Sequence, residues 1–169
     1  MSDASIPVFE IGLNVLSALL DKAEAYAEAK RIDATALLRV SLFPGMLMLS
    51  QQIQRACDVA KNAGARLADI DPPSHEDREK TIADLKARIT KTIAFLKTLD
   101  TGKIHRSAER EVTFPLGSKK GHMTGAGYLN HFAVPNFHFH VTTAYDILRH
   151  CGVDIGKNDF LGAIPMRTT

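Results

Sequence analysis

Two polar residues near the end of the chain are spaced so that they could act on one ligand. Asn136 and His140 lie four positions apart, and residues with this spacing lie on one face of an α-helix. An imidazole can bind a transition metal or transfer a proton near neutral pH, and an amide can donate or accept a hydrogen bond. One imidazole and one amide oxygen make a poor zinc or nickel site without further donors. Two interpretations of His140 therefore stay open, a pocket residue and a buried histidine hydrogen-bonded across helices. Two also stay open for Asn136, a cap of the last helix and a pocket residue beside His140.

Two further histidines stand close to His140 in the sequence. His138 is two positions before His140, so on a helix the two side chains point in different directions. We expect His138 to be a surface or interface residue. His131 precedes Pro135, and its direction depends on whether the helix bends there. The spacing does not favour a three-histidine metal site built from these residues.

A second group of polar residues lies near the middle of the chain. Asp58 and Lys61 are three positions apart, so they can form an ion pair on a helix surface. The functional alternative places Asp58 in a network with His140 or Tyr145, because a carboxylate would orient the imidazole and raise its basicity. The structural interpretation is the one that the spacing favours.

Four other side chains could contribute to a pocket or to the core. Gln52 is a candidate pocket amide, and the alternative is an amide that lines the helix bundle or contacts a second copy of the chain. Thr143 and Tyr145 carry hydroxyls that need partners if they are buried. Cys57 has no neighbouring cysteine and is most simply a small core residue.

Apolar residues recur at alternating steps of three and four in three stretches, which is the period of an amphipathic α-helix. The first stretch predicts a helix whose buried stripe is Ile6, Phe9, Leu13, Leu16, Leu20, Ala23 and Ala27. The second predicts a helix whose stripe is Met46, Leu49, Ile53, Ala56, Ala60, Ala63 and Leu67. The third predicts a helix whose stripe is Ile82, Leu85, Ile89, Ile93 and Leu96.

Local patterns predict where these helices begin. Pro44 predicts the start of the second helix, because a proline in the first turn gives up no N–H that the helix needs. Ser74 and Asp77 resemble a capping box with Asp in place of Glu, which predicts a start for the third helix after the break at Asp71-Pro72-Pro73. Residues 33–38 predict a short helical turn.

The region before the last helix has a different period. Apolar and polar residues alternate after Glu109, which predicts a strand with one face made of Val112, Phe114 and Leu116. Residues 117–121 suit a hairpin turn, and 122–124 a second strand. The last predicted helix has a stripe of Phe137, Val141, Ala144 and Leu148, and Pro135 either begins or kinks it. The predicted fold is therefore mainly α, a four-helix bundle with a small β-hairpin before the last helix.

Length and composition set further expectations. A chain of 169 residues is expected to form a single domain over residues 1–169. Its 21 Lys and Arg and 19 Asp and Glu give a net charge of +2, which predicts no nucleic-acid partner. No membrane partner is expected, since no apolar run reaches the length of a span. Met1 to Ser5 lacks the features of a signal peptide, and the expected location is cytoplasmic.

The stretch Pro135-Asn136-Phe137-His138-Phe139-His140-Val141-Thr142-Thr143-Ala144-Tyr145-Asp146-Ile147-Leu148-Arg149 resembles the last helix of a bacterial subfamily of the DinB/YfiT-like superfamily whose function is unknown. The segments 52–61, 66–68 and 156–162 resemble the same subfamily. The resemblance implies a four-helix bundle that is usually a homodimer, and it implies no particular substrate.

The wider superfamily often binds a divalent metal through three histidines, one from the second helix and a His-x-x-x-His pair from the fourth. His140 falls on the second position of that pair and Asn136 on the first. The stretch from Pro44 to Leu67 contains no histidine. The full three-histidine site is therefore absent, and the residual metal candidates are His140 and Asn136, with zinc or nickel as the expected ion if one binds. The sequence favours a protein that binds no metal ion.

Two functions follow as hypotheses, and whether the protein is an enzyme stays open. The first is a metal-free or degenerate-site member that binds a small ligand or acts as a dimer module. Its candidate pocket residues are His140, Asn136, Tyr145, Gln52, Asp58 and Thr143. The alternative is a divalent-metal-dependent enzyme, thiol transferase-like or hydrolase-like, that uses His140.

Overall fold

The computed structural model describes residue 1 and residues 5–163 of the chain. The elements, in chain order, are α1 (Ile6–Lys30), α2 (Ala34–Leu38), α3 (Leu49–Ala68), α4 (Ile82–Lys97), α5 (Thr101–Arg106), β1 (Glu111–Leu116), β2 (Lys119–Thr124), α6 (Gly125–Tyr128), a π-helical turn (Leu129–Ala133), α7 (Val134–His150) and α8 (Lys157–Leu161). The four long helices α1, α3, α4 and α7 form a bundle with the hairpin β1–β2 ahead of the last one. The predicted fold class is confirmed.

The bundle closes as a ring of neighbouring helices, α1 on α4, α4 on α3, α3 on α7 and α7 on α1. Apolar stripes with a helical period supply the core, because each helix buries one face against its neighbours. Phe9 of α1 and Phe137 of α7 are fully buried and meet edge to face, with ring centroids 5.1 Å apart. In the part of the chain that the structure describes, no helix is long and apolar enough to cross a membrane.

The start of α3 differs from the prediction at Pro44, which was wrong. The helix begins at Leu49, because Gly45 has a φ of +91°, a left-handed conformation that ends a right-handed helix. The Met46 amide donates to the Phe43 carbonyl at 3.0 Å and closes a turn there. The side-chain oxygen of Gln51 then accepts from the Met48 amide at 3.2 Å at the start of the helix.

The start of α4 also differs from the prediction at Ser74, which was wrong. Residues 71–80 contain no helix or strand, and the capping box is Thr81 with Asp84. The Thr81 hydroxyl accepts from the Asp84 amide at 3.1 Å, and the Asp84 carboxylate accepts from the Thr81 amide at 3.0 Å. The residues 74–77 and 81–84 both have the pattern of a capping box. Only the second of these stretches lies directly at the start of the apolar stripe.

The predicted hairpin is confirmed, with a shorter turn and a longer second strand than expected. The strands pair antiparallel from Glu111 with Thr124 to Leu116 with Lys119. Only residues 117 and 118 lie between them. Phe114 is buried and packs against the rings of Tyr128 and Phe132, with centroid distances of 4.9 and 4.5 Å. The hairpin therefore holds the segment that leads into α7.

Pro135 lies in the first turn of α7, directly after the π-helical turn. The segments α6, the π turn and α7 follow one another without a break. A proline inside a helix lacks its N–H and clashes with the carbonyl four residues earlier, and widened turns of this kind accommodate such a defect. Past this point α7 is regular, so residues 136 and 140 share one of its faces.

Candidate functional site

A hydrogen bond between Gln52 and His140 joins α3 to α7. The Gln52 side-chain oxygen lies 2.7 Å from His140 Nδ1. Gln52 is in the first turn of α3 and is buried, whereas His140 is partly exposed. The Gln52 side-chain nitrogen donates to the Leu47 carbonyl at 3.1 Å. The structure therefore brings together two candidates that are far apart in the sequence.

The second bond of Gln52 decides where the hydrogen atoms of this pair lie. A carbonyl oxygen can only accept, so the amide nitrogen of Gln52 must face Leu47 and its oxygen must face His140. His140 Nδ1 then carries a hydrogen and donates it to Gln52. In the neutral ring this leaves Nε2 with a lone pair, which can accept a hydrogen bond or a proton.

The surroundings of His140 favour its neutral form. Burial lowers the pKa of His140 below its usual value, and the positive charge of Arg55 lowers it further. Arg55 lies three residues after Gln52 on α3, on the same side of the helix. At neutral pH His140 is therefore an uncharged imidazole with a fixed tautomer, held by Gln52 and close to a cation.

Asn136 lies one helical turn before His140 on the same face of α7 and is partly buried. Its side chain makes no hydrogen bond with the described residues. Gln52, Arg55, Asn136 and His140 thus form a small polar group along the line where α3 meets α7, with Gln52 buried beneath the other three. We call these four residues the α3–α7 site.

Two other candidates on α7 are used elsewhere in the fold. The Thr143 hydroxyl is buried and donates to the Phe139 carbonyl at 2.7 Å, inside its own helix. Tyr145 packs edge to face on Phe160 of α8, with centroids 5.7 Å apart. The hydrogen bond of Thr143 and the ring contact of Tyr145 are therefore structural contacts of α7, and neither indicates a ligand.

Asp58 lies in an ion-pair network between α3 and α4. Its carboxylate is 2.9 Å from Arg88 Nη2 and 3.1 Å from Lys61 Nζ, and 3.5 Å from Arg55. The ion pair with Lys61 has the spacing that the sequence suggested. Its strongest partner, Arg88, comes from a different helix, so Asp58 connects α3 to α4 and not to His140.

Arg88 is the centre of this network, and the sequence did not point to it. Its side chain is 2% exposed. Besides Asp58 it binds the carboxylates of Glu79 at 2.9 Å and Asp77 at 3.0 Å and donates to the Glu76 carbonyl at 3.1 Å. One available indication was its position, next to Ile89 and three residues after Leu85 on a buried stripe, where a charge requires partners.

Cys57 lies beside this network and is fully buried. Burial raises the pKa of its thiol to about 12, although Thr92 and Arg88 act in the opposite direction. The thiol is therefore protonated at neutral pH and is not a nucleophile, since the thiolate is the reactive form. The interpretation of Cys57 as a small core residue agrees with this environment.

The side chains at the α3–α7 site do not fit the three-histidine metal pattern of the DinB superfamily. Gln52 and Asn136 offer amides, so His140 supplies the one imidazole of this group. Within residues 5–163 no three His, Cys, Asp or Glu side chains are grouped so that they could hold a metal ion. A single imidazole with amide oxygens is a weak donor set for zinc or nickel.

The four long helices with a hairpin before the last one place this chain among the DinB-like bundles. A crystal structure of a DinB family member from Shewanella denitrificans is 38% identical and superposes with a TM-score of 0.92. The similarity covers 99% of this chain and 95% of that one. The family model DUF1993, a domain of unknown function, matches residues 1–161, and the chain belongs to this family. No curated protein matches the sequence.

Proposed function

We propose that the protein is a metal-independent DinB-like protein that binds a small polar ligand at the α3–α7 site. One observation supports this most directly, the 2.7 Å hydrogen bond between Gln52 and His140. It places an amide and an imidazole in direct contact at the position where the superfamily's ligands come from two helices. A hydrogen bond replaces the shared ion as the connection between α3 and α7.

The tautomer of His140 defines the ligand that the site would take. Because Nδ1 donates to Gln52, Nε2 is an acceptor, and the group that meets it must donate a hydrogen bond. Arg55 adds a positive charge near the ring, which favours oxygen atoms that carry partial negative charge. The Asn136 amide supplies both a donor and an acceptor. The ligand class is therefore a small molecule with a hydroxyl or other acidic O–H group.

Histidine NMR spectra test the proposal with phenol as the first probe, followed by small alcohols and hydroxy acids. We expect at least one of these compounds to shift the His140 Cε1–H signal in a saturable manner. The same shift should be lost in Gln52→Leu, because this variant removes the acceptor that fixes the tautomer of His140. It should be kept in His131→Ala, because His131 is exposed and lies outside the site. No saturable shift with any member of the set would contradict the proposal.

Metal analysis separates this proposal from the alternative of a divalent-metal-dependent enzyme that uses His140. We expect purified, untagged protein to bind zinc and nickel weakly, without a stoichiometric site. The double variant Gln52→His/Asn136→His supplies one histidine from α3, in contact with His140, and a His-x-x-x-His pair on α7. We expect this variant to gain about one ion per chain. About one tightly bound ion per chain in the parent protein, lost in His140→Ala, would favour the enzyme hypothesis instead.

A further inference from the structure

The segment 70–81 between α3 and α4 contains no helix or strand, and polar contacts hold it in place. Its largest apolar side chain, Ile70, is 43% exposed, so little apolar burial anchors the segment. Gln54 of α3 donates to Glu79 at 2.8 Å. Arg88 of α4 binds Glu76, Asp77 and Glu79. Because ion pairs and hydrogen bonds attach this segment to the helices, its attachment depends on the protonation state of each titratable group that it buries.

His75 is partly exposed, and it is the residue of this segment whose buried polar atoms have no partner. Both of its ring nitrogens are shielded from solvent, and neither has a hydrogen-bond partner. It borders an open cavity of about 380 Å³ whose lining includes Arg88 and Lys91. An imidazole without partners is tolerated only while it is neutral, because a buried charge without hydrogen bonds is very costly.

Charged groups face His75 from both packed helices and from its own segment. Lys61 and Asp58 act on it from α3, and Arg88 and Lys91 from α4. The same cavity is lined by the charged residues Glu76, Arg78, Glu79, Lys80 and Asp84. The carboxylates around this cavity are already engaged. Asp58 is shared by Arg88 and Lys61, and Glu79 binds Arg88. Glu76 pairs with Arg78, and Asp84 caps the start of α4. A proton on His75 would add a cation and find no free anion among these contacts.

We propose that segment 70–81 is a strap that is released from α3 and α4 when His75 becomes protonated in mildly acidic solution. The docked strap accepts the neutral ring only, whereas the released strap lets water solvate the imidazolium. Release exposes the side chain of Arg88. It also separates the carboxylate of Asp77 from the guanidinium of Arg55, which lies 3.7 Å away while the strap is docked. Because Arg55 belongs to the α3–α7 site, the strap connects solution pH to that site.

The direction of the pH effect follows from the environment of His75. Burial lowers its pKa in the docked state, and Lys61, Lys91 and Arg88 lower it further. At a pH above the value of a free histidine, about 6.5, both states are neutral and docking is fully favoured. As the pH falls below that value, the released state takes up the proton first, so docking weakens until the lowered pKa is reached.

Backbone NMR of the full chain between pH 7.5 and 5.0 tests the strap directly. We expect the heteronuclear NOE of residues 74–80 to fall, and their amide shifts to move toward random-coil values, as His75 titrates. The heteronuclear NOE of α1 and α7 should stay high over the same range, which separates release of the strap from unfolding. His75→Gln keeps a neutral polar side chain that cannot be protonated, and we expect it to abolish the loss of order over this range. His150→Gln, at an exposed histidine, should respond like the parent.

A second variant calibrates the experiment. Arg88→Met removes the main anchor, and we expect its strap to be mobile at pH 7.5 as well. Two outcomes would overturn the proposal. One is a strap that stays ordered while His75 itself titrates, and the other is a His75→Gln strap that loosens with pH as the parent does.

Discussion

His140 shows how a distant residue sets the chemistry of a single side chain. Gln52, 88 positions earlier, accepts its Nδ1 hydrogen and is itself oriented by the Leu47 carbonyl. Burial and Arg55 then keep the ring neutral by lowering its pKa. A ring with a fixed tautomer and a free lone pair is ready to accept a hydrogen bond without reorganisation, which reduces the free-energy cost of binding.

The contribution of Arg55 to this state can be measured. Arg55→Met removes a positive charge near His140, so we expect the pKa of His140 to rise in an NMR titration of its Cε1–H signal. Arg66→Met removes the same charge further along α3 and serves as the matched control, with no change expected. An unaltered His140 titration in Arg55→Met would show that burial alone lowers the pKa.

The candidate residues of the α3–α7 site were predictable one at a time, and their pairing was not. Helical spacing placed Asn136 and His140 on one face, and Gln52 was a separate candidate for a pocket amide. The hydrogen bond between Gln52 and His140 depends on how two helices are rotated toward each other, which periodicity does not specify. His75 was missed for a related reason, because its burial arises from an irregular segment without any pattern.

At the scale of elements, a glycine brings α1 and α7 close together. A Cβ atom on Gly12 would lie 2.4 Å from Cε1 of Phe137, far inside a normal contact. Phe137 cannot easily move away, since it is fully buried and its ring packs on Phe9. The close approach of the two helices at this level therefore requires a residue without a side chain.

We expect Gly12→Ala to lower the free energy of unfolding by about 1–3 kcal/mol, as over-packed cores do, despite the better helix propensity of alanine. Chemical denaturation followed by circular dichroism measures the change. Gly156→Ala is the control, because a Cβ there meets no atom within 4 Å. A Gly12→Ala variant as stable as the parent would mean that α7 shifts to accommodate the methyl group.

The helices themselves were predictable because their stripes follow the helical period, whereas two of their starts were not. Pro44 has the residue type of a first turn, yet Gly45 with its positive φ ends any helix there. Ser74 with Asp77 imitates a capping box, but Asp77 binds Arg88 instead. In both cases a local pattern was overruled by a contact or a conformation that forms only in the folded chain.

At the scale of the whole molecule, the homodimer implied by the resemblance stays a prediction. Two aromatic side chains are notably exposed, Phe43 in the loop before α3 at 67% and Phe139 on α7 at 56%. Phe139 directly precedes His140 and projects from the outer side of α7. Exposed aromatic residues are enriched in protein interfaces, so these two are the first candidates for contact with a second copy.

We expect sedimentation velocity to show a dimer, and the melting temperature to rise with protein concentration, because association stabilises the folded state by mass action. Phe43→Ser/Phe139→Ser should shift the protein toward monomer and remove the concentration dependence. Ile32→Ser changes a 47% exposed apolar residue after α1 and should leave the dimer intact. A parent protein that sediments as a monomer at high micromolar concentration would contradict the prediction.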